Sequence, residues 1–227
     1  MGWIELKAAD GHGLQAWCAR PPGKVRGGIV VLQEIFGVNA HIRSVCDRWA
    51  AEGWLAIAPA LYDRVARGIE TGYDAQGIAT GRAAKEKLGD ATALVDVQAA
   101  VDYARRETPR VAVMGFCWGG TLAWLAASRL RGVDVAVAYY GTNIAGYPGD
   151  TPKVPVLLHF GEQDTHIPPQ HVQQIVRSFP AIPVHLYPAG HGFACDARPS
   201  FHRESAALAA ERTRAFLAAS LKTPEAP

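Results

Sequence analysis

Short apolar runs alternate with amphipathic segments along most of the chain. Six runs are typical of buried strands: RGGIVVLQE, WLAIAPAL, RVAVMGF, VDVAVAYYG, VPVLLHFGE and IPVHLYP. Five segments have the apolar spacing of helices: HIRSVCDRWAAEG, TALVDVQAAVDYARRE, CWGGTLAWLAASRL, PPQHVQQIVRSF and SFHRESAALAAERTRAFLAASL. WIEL and GLQAWCA, joined by DGHG, predict an antiparallel hairpin at a sheet edge. The pattern therefore predicts an α/β fold with a mostly parallel central sheet and helices on both faces.

The length of the chain suits one such domain. We assign all 227 residues to it, with a polar tail at residues 222–227. Residues 62–81 contain several glycines and no clear period, and they predict an irregular loop at the rim of a site.

Charge and hydropathy exclude several classes of function. The formal net charge of +2 gives no reason to expect binding to nucleic acid or to an anionic membrane. No apolar run approaches the roughly 20 residues of a membrane span, and the N-terminus does not read as a secretory signal. The four cysteines have no metal-like spacing, so we expect reduced thiols in a cytoplasmic protein.

Four of the predicted strands are followed by a residue suited to catalysis. Glu34 follows the first core strand, Cys117 the central strand, Asp164 a later strand and His191 the last strand. Ligands of parallel α/β sheets bind at the carboxyl ends of the strands. The setting of Cys117, a strand followed by GFCWGG and a helix, is that of a nucleophile elbow, and the order nucleophile, acid, histidine is that of the α/β-hydrolase fold.

These residue types fit one mechanism. A thiol at the start of a helix meets the positive end of the helix dipole, which favours the thiolate of Cys117. His191 can accept a proton and later return it, and Asp164 would fix the orientation of its ring. The topology further suggests an oxyanion hole made of the backbone N–H groups of Trp118 and Ile35.

The motifs QEIFGVN, GFCWGG, GEQDTHIP and AGHGF together resemble those of the dienelactone hydrolase family, and APALYDR, DVQAAVDYAR, AYYG and ERTRAFL extend the likeness over nearly the whole chain. The resemblance implies a monomeric α/β-hydrolase with the triad Cys117, Asp164 and His191. It implies that Glu34 takes the thiol proton when substrate binds. The implied reaction opens a dienelactone ring through an acyl-cysteine, and water activated by His191 then releases maleylacetate.

The resemblance also implies two arginines that bind the carboxylate of the substrate. Arg82 is the counterpart of the first. The second is expected four residues after the histidine, where this chain has Cys195, and the nearest arginine is Arg198. Tyr140 and Phe36 complete the candidate substrate-binding residues.

Two other functions stay open from the sequence. The same machinery could act on another small ester, lactone or thioester, or the fold could bind a small ligand without catalysis. Cys18 and Cys46 are interpreted as inert packing. No metal or cofactor is expected, because seven histidines lack ligand-like spacing and are interpreted as surface or structural residues: His12, His41, His159, His166, His171, His185 and His202.

Overall fold

A single eight-stranded sheet forms the centre of the structure, a computed structural model that describes residues 1–221; the predicted tail at residues 222–227 lies outside the described residues. The strands are β1 (Gly2–Lys7), β2 (Gly13–Ala19), β3 (Gly27–Leu32), β4 (Trp54–Pro59), β5 (Val111–Phe116), β6 (Val135–Tyr139), β7 (Val156–Gly161) and β8 (Val184–Tyr187). Their order across the sheet is β1-β2-β4-β3-β5-β6-β7-β8.

The sheet is parallel except at one edge. The five neighbouring pairs from β4 to β8 run parallel. β1 and β2 form an antiparallel hairpin, and β2 also pairs antiparallel with β4. The predicted mostly parallel sheet with an N-terminal edge hairpin is therefore confirmed.

Within residues 1–221, six α-helices connect and cover the strands. They are α1 (Ala40–Ala51), α2 (Ala75–Leu88), α3 (Asp90–Glu107), α4 (Trp118–Arg129), α5 (Pro169–Ser178) and α6 (Arg203–Ser220). The connections through α1 and α3 cross the sheet in opposite directions, so right-handed crossovers place these two helices on opposite faces. Every residue of β3, β4, β5, β6 and β7 is consequently buried. None of the helices within residues 1–221 is long and apolar enough to cross a membrane.

The prediction of an irregular loop over residues 62–81 is wrong in its second half. A short 3₁₀ turn occupies Leu61–Arg64, and α2 already begins at Ala75. Asp74 caps this helix, because its side chain accepts a hydrogen bond of 2.7 Å from the N–H of Gly77. This helix contains two glycines at positions where a side chain would not fit. A Cβ at Gly77 would overlap the carbonyl oxygen of Gly72, and a Cβ at Gly81 would overlap that of Ile35.

A buried polar network ties three strands to α6. His159 on β7 places Nδ1 2.8 Å from the hydroxyl of Tyr187 and Nε2 3.0 Å from Oγ1 of Thr213. Tyr139 adds a contact of 2.7 Å between its hydroxyl and the same Thr213 oxygen. Burial, helped by the neighbouring His185, lowers the pKa of His159 to about 3, so this ring is neutral and structural.

Candidate active site

The carboxyl ends of β3, β5, β7 and β8 bring the four predicted catalytic residues to one edge of the sheet. Glu34 follows β3, Cys117 joins β5 to α4, Asp164 follows β7 and His191 follows β8. A cavity of about 240 Å³ opens there. Its lining residues are Ile35, Phe36, Ile78, Arg82, Lys85, Cys117, Trp118, Thr142, His166, His191 and Arg198.

Cys117 occupies a sharp turn between β5 and α4. Its backbone has φ 55° and ψ −116°, a left-handed conformation that non-glycine residues seldom adopt. The turn is tight because α4 approaches the loop after β3: a Cβ at Gly119 would overlap the carbonyl oxygen of Leu32 and lie 2.5 Å from that of Gln33. The strained backbone places Cys117, a residue that is 8 % exposed, in the lining of the cavity.

Asp164 and His191 form a buried hydrogen-bonded pair. The ring of His191 donates from Nδ1 to Oδ2 of Asp164 over 2.7 Å. The other carboxylate oxygen accepts from the backbone N–H groups of His166 (2.8 Å) and Ile167 (3.2 Å). With Nδ1 engaged in this way, Nε2 of His191 is the nitrogen left for proton transfer.

The charge state of His191 depends on Cys117. Burial by itself would lower the pKa of His191, but a negative sulfur on Cys117 and the hydrogen bond to Asp164 outweigh burial and raise this pKa to about 10. A protonated His191 thus stabilises a Cys117 thiolate, as an activated sulfur nucleophile requires.

Glu34 is paired with Arg198 at the back of the cavity. Nη1 of Arg198 lies 3.1 Å from Oε1 of Glu34, and the two side chains are only 16 % and 2 % exposed. Burial opposes the charge of Arg198, but the adjacent Glu34 carboxylate outweighs it and raises the pKa of the guanidinium. The site therefore holds a buried ion pair whose positive member lines the cavity.

The predicted oxyanion-hole residues also line the cavity. Trp118 is the first residue of α4, so its N–H has no acceptor within the helix. Ile35 lies in the loop after β3, and within residues 1–221 its N–H donates to no acceptor. Both backbone donors are thereby left for a ligand in the cavity.

Comparison with known proteins places the chain in a family. The sequence profile of the Dienelactone hydrolase family matches residues 14–221. The chain belongs to that family. The carboxymethylenebutenolidase of Pseudomonas putida is 37 % identical over an alignment of 228 positions that covers 95 % of each chain. Membership makes this chain a carboxylic ester hydrolase of the dienelactone hydrolase type.

Solved structures agree on the fold. A Klebsiella pneumoniae protein that is provisionally named a dienelactone hydrolase superposes with a TM-score of 0.83 at 32 % identity, covering 96 % of this chain and 99 % of its own. A promiscuous, dienelactone hydrolase-like phosphotriesterase from metagenomic libraries reaches a TM-score of 0.76 at 19 % identity, covering 96 % and 98 %. Its identity is low, and it supports the α/β-hydrolase fold alone.

Arg198 reaches the site of this dienelactone hydrolase family member although Cys195 occupies the position where an arginine is expected. Its guanidinium lies beside two aromatic rings that contact each other, with Cζ 5.5 Å from the ring centroid of Phe36 and 5.9 Å from that of Tyr73. Gly192, directly after the histidine, makes room, because a Cβ there would overlap Nη1 of Arg198. The sequence left the reach of Arg198 open, since the turns of this loop could not be foreseen.

The other three thiols of the chain are packed away from the cavity. All four cysteines are free and buried. Cys195 donates to the hydroxyl of Tyr73 over 3.3 Å, and burial together with the nearby Glu34 charge raises its pKa to about 11. Burial also raises the pKa of Cys18 and Cys46. These protonated thiols have the environment of packing residues.

Two cations on α2 face the cavity. Arg82 lies on this helix rather than in a loop and is exposed, and Lys85 follows one turn later. Within residues 1–221 neither makes an ion pair. The sequence interpretation missed Lys85, although the spacing of Ile78, Arg82 and Lys85 would have indicated one helical face had α2 been predicted there.

His166 is exposed, as expected for one of the surface or structural histidines, and it also lies beside the candidate site. Its ring lies 4.6 Å, between centroids, from that of His191, and it lines the cavity. Donor atoms of His166, His191 and Asp164 fall within 4.8 Å of one another. Both carboxylate oxygens of Asp164 already accept hydrogen bonds, so the cluster is explained as the support of His191. The expectation of no metal stays a prediction.

Tyr140, a candidate substrate-binding residue, packs against His191 and is not among the residues that line the cavity. It is wholly buried, has a φ of 38°, and its ring centroid is 5.0 Å from that of His191. Its hydroxyl has no hydrogen-bond partner among residues 1–221. Phe36, by contrast, lines the cavity directly beside Arg198.

Proposed function

We propose that this protein opens the ring of a small lactone that carries a carboxylate, a dienelactone, and releases maleylacetate. The single observation that carries the proposal is the Arg198 guanidinium. It lines the cavity that contains Cys117 and His191, while its counter-ion Glu34 is buried behind it. A carboxylate entering the cavity competes with Glu34 for the guanidinium, which suits bidentate binding of a carboxylate.

That competition supplies the activation step. When the substrate carboxylate takes Arg198, Glu34 becomes a buried carboxylate without its partner and accepts the Cys117 proton. The thiolate then attacks the lactone carbonyl carbon. The N–H groups of Ile35 and Trp118 stabilise the resulting oxyanion. Its collapse breaks the ring C–O bond and leaves a thioester and an enolate.

Hydrolysis of the thioester completes the reaction. His191, oriented by Asp164, takes a proton from water, and the hydroxide attacks the thioester carbonyl. The C–S bond breaks and the thiolate leaves. The proton on His191 returns to the Cys117 sulfur, and the proton on Glu34 goes to the enolate, which becomes the ketone of maleylacetate. No oxidant, reductant or cofactor enters this sequence.

The test is hydrolysis of cis- and trans-dienelactone, followed by loss of ring absorbance, beside a neutral lactone without the carboxylate. We expect turnover of the acidic lactones by the wild type, none by Cys117→Ala, and a large loss of kcat in Glu34→Gln. Cys18→Ala, which alters a thiol outside the cavity, serves as the control and keeps its rate. Preference for the neutral lactone would reject the dienelactone assignment and favour another small ester, lactone or thioester. An unreactive Cys117 would favour the non-catalytic alternative.

A further inference from the structure

Tyr62 contacts both residues of the proposed oxyanion hole, Ile35 and Trp118. It lies in the 3₁₀ turn after β4 and is 1 % exposed. Its hydroxyl lies 3.1 Å from the carbonyl oxygen of Ile35 and 3.0 Å from that of Gly81. A phenol has one proton to donate, so the two carbonyls share it. The hydroxyl thus joins the loop after β3 to α2.

The ring of Tyr62 supports the second donor residue. It stacks on the indole of Trp118 with ring centroids 5.6 Å apart and planes 13° from parallel. The edge of the indole is held as well, because Nε1 of Trp118 donates to Asp90 over 2.7 Å. Tyr147 donates to the other oxygen of Asp90 over 2.5 Å. The first residue of α4 is therefore fixed on one face and at one edge.

The Ile35 backbone has little room to move against α2. A Cβ at Gly81 would overlap the Ile35 carbonyl oxygen and lie 2.9 Å from its carbon. The Tyr62 hydroxyl lies at this contact and hydrogen-bonds to the carbonyl oxygen on each side of it, that of Ile35 and that of Gly81. Burial raises the pKa of Tyr62, which keeps the hydroxyl protonated as a donor.

We infer that Tyr62 is a positioning residue for the oxyanion hole, holding the backbone of Ile35 by its hydroxyl and the backbone of Trp118 through the stacked indole. The inference rests on the proposed function, because the oxyanion hole is part of that proposal. An oxyanion hole stabilises the transition state only if its donors are already aimed at the developing charge. Loosening them weakens transition-state binding without weakening binding of the substrate.

The decisive variant is Tyr62→Phe, which keeps the stacked ring and removes the hydroxyl. Loss of a whole oxyanion donor costs about 10²- to 10³-fold in kcat. Loss of its support leaves the donor in place, and we expect a fall in kcat of about 10-fold with KM changed less than about 2-fold. Tyr103→Phe is the matched control and keeps the wild-type kcat, because the Tyr103 hydroxyl accepts a hydrogen bond from Arg20 on the surface, away from the cavity.

A second readout separates alignment from general damage. A carboxylate-bearing trifluoromethyl ketone forms an oxyanionic adduct with Cys117, whereas a plain carboxylate inhibitor occupies only the Arg198 side of the cavity. We expect Tyr62→Phe to weaken the ketone about 10-fold and to leave the carboxylate inhibitor unchanged. Equal loss for both ligands, or no loss for either, overturns the inference.

Failure of the proposed function looks different in this experiment. A wild type that neither hydrolyses lactones nor forms the ketone adduct rejects the function itself. An active wild type matched by an equally active Tyr62→Phe rejects only the role of Tyr62. If Tyr62→Phe does not fold, Gly81→Ala decides, because its methyl group displaces the same Ile35 carbonyl and predicts the same split between kcat and KM.

Discussion

Replacing Gly192 with alanine directs a methyl group at the guanidinium of Arg198. The new Cβ would overlap Nη1 and lie 2.7 Å from Cζ of Arg198, whereas ordinary contact begins at 3.4 Å. The guanidinium must therefore move by about 0.7 Å or more, because the end of a long side chain yields before backbone does. The φ of +77° at position 192 adds a backbone cost of about 1–2 kcal/mol for alanine.

The expected effect on catalysis is selective. A hydrogen bond to a charged group contributes about 1.5–3 kcal/mol, which is about 10- to 150-fold in kcat/KM. Gly192→Ala should lose that factor for the acidic lactone, while a neutral lactone changes less than about 3-fold. The assay compares kcat/KM for the two lactones and measures the free energy of unfolding with denaturant.

Gly190 provides a matched control on the other side of His191. A Cβ at Gly190 would meet only the Gln163 carbonyl oxygen, at an ordinary 3.7 Å, and the residue has no positive φ. Gly190→Ala should therefore keep the ratio of acidic to neutral turnover. The reasoning is refuted if Gly190→Ala changes this ratio as much as Gly192→Ala does, or if Gly192→Ala slows both lactones equally.

Two further predictions concern charge. The folded pKa of His159 is about 3 against an ordinary 6.5, so the unfolded chain binds the extra proton and stability falls as pH drops from about 6.5 toward 3. His159 should account for a loss of about 2 kcal/mol in the free energy of unfolding between pH 7 and pH 5. Denaturant titrations at the two pH values should show this loss in the wild type and in the control His171→Gln, but not in His159→Gln. An equal loss of stability in all three proteins would contradict the prediction. Lys85→Gln should raise KM for the acidic lactone by up to about 5-fold, a size that fits a half-exposed charge. The control Lys87→Gln, on the same helix but outside the cavity, should leave KM unchanged. Equal changes of KM in the two variants would exclude a direct role for Lys85.

The sheet and the residues at its strand ends could be predicted from the sequence, because buried strands and their order along the chain are local signals. Glu34, Cys117, Asp164 and His191 each follow an apolar run, and parallel topology alone brings them together.

The start of α2 was missed for a physical reason. Gly77 and Gly81 weaken the local helix signal, yet each is needed where the helix touches another backbone. Tertiary contact therefore overrides propensity, and Arg82 and Lys85 could be placed on a helical face only once that contact was known.

The contact between Arg198 and Glu34 also could not be predicted from the sequence. It depends on a left-handed turn at Gly192 and on the aromatic rings of Phe36 and Tyr73, which come from distant parts of the chain. The expected spacing of four residues after His191 pointed to Cys195 instead, because spacing along the sequence does not give the path of the loop in space.

The left-handed backbone at Cys117 limits how this catalyst can be redesigned. Serine and alanine match the unbranched Cβ of cysteine, so exchange of sulfur for oxygen is sterically open at the elbow. Threonine and valine carry a branch that such a φ disfavours strongly. Directed evolution of new reactivity at this position is thus directed toward side chains that are unbranched at Cβ.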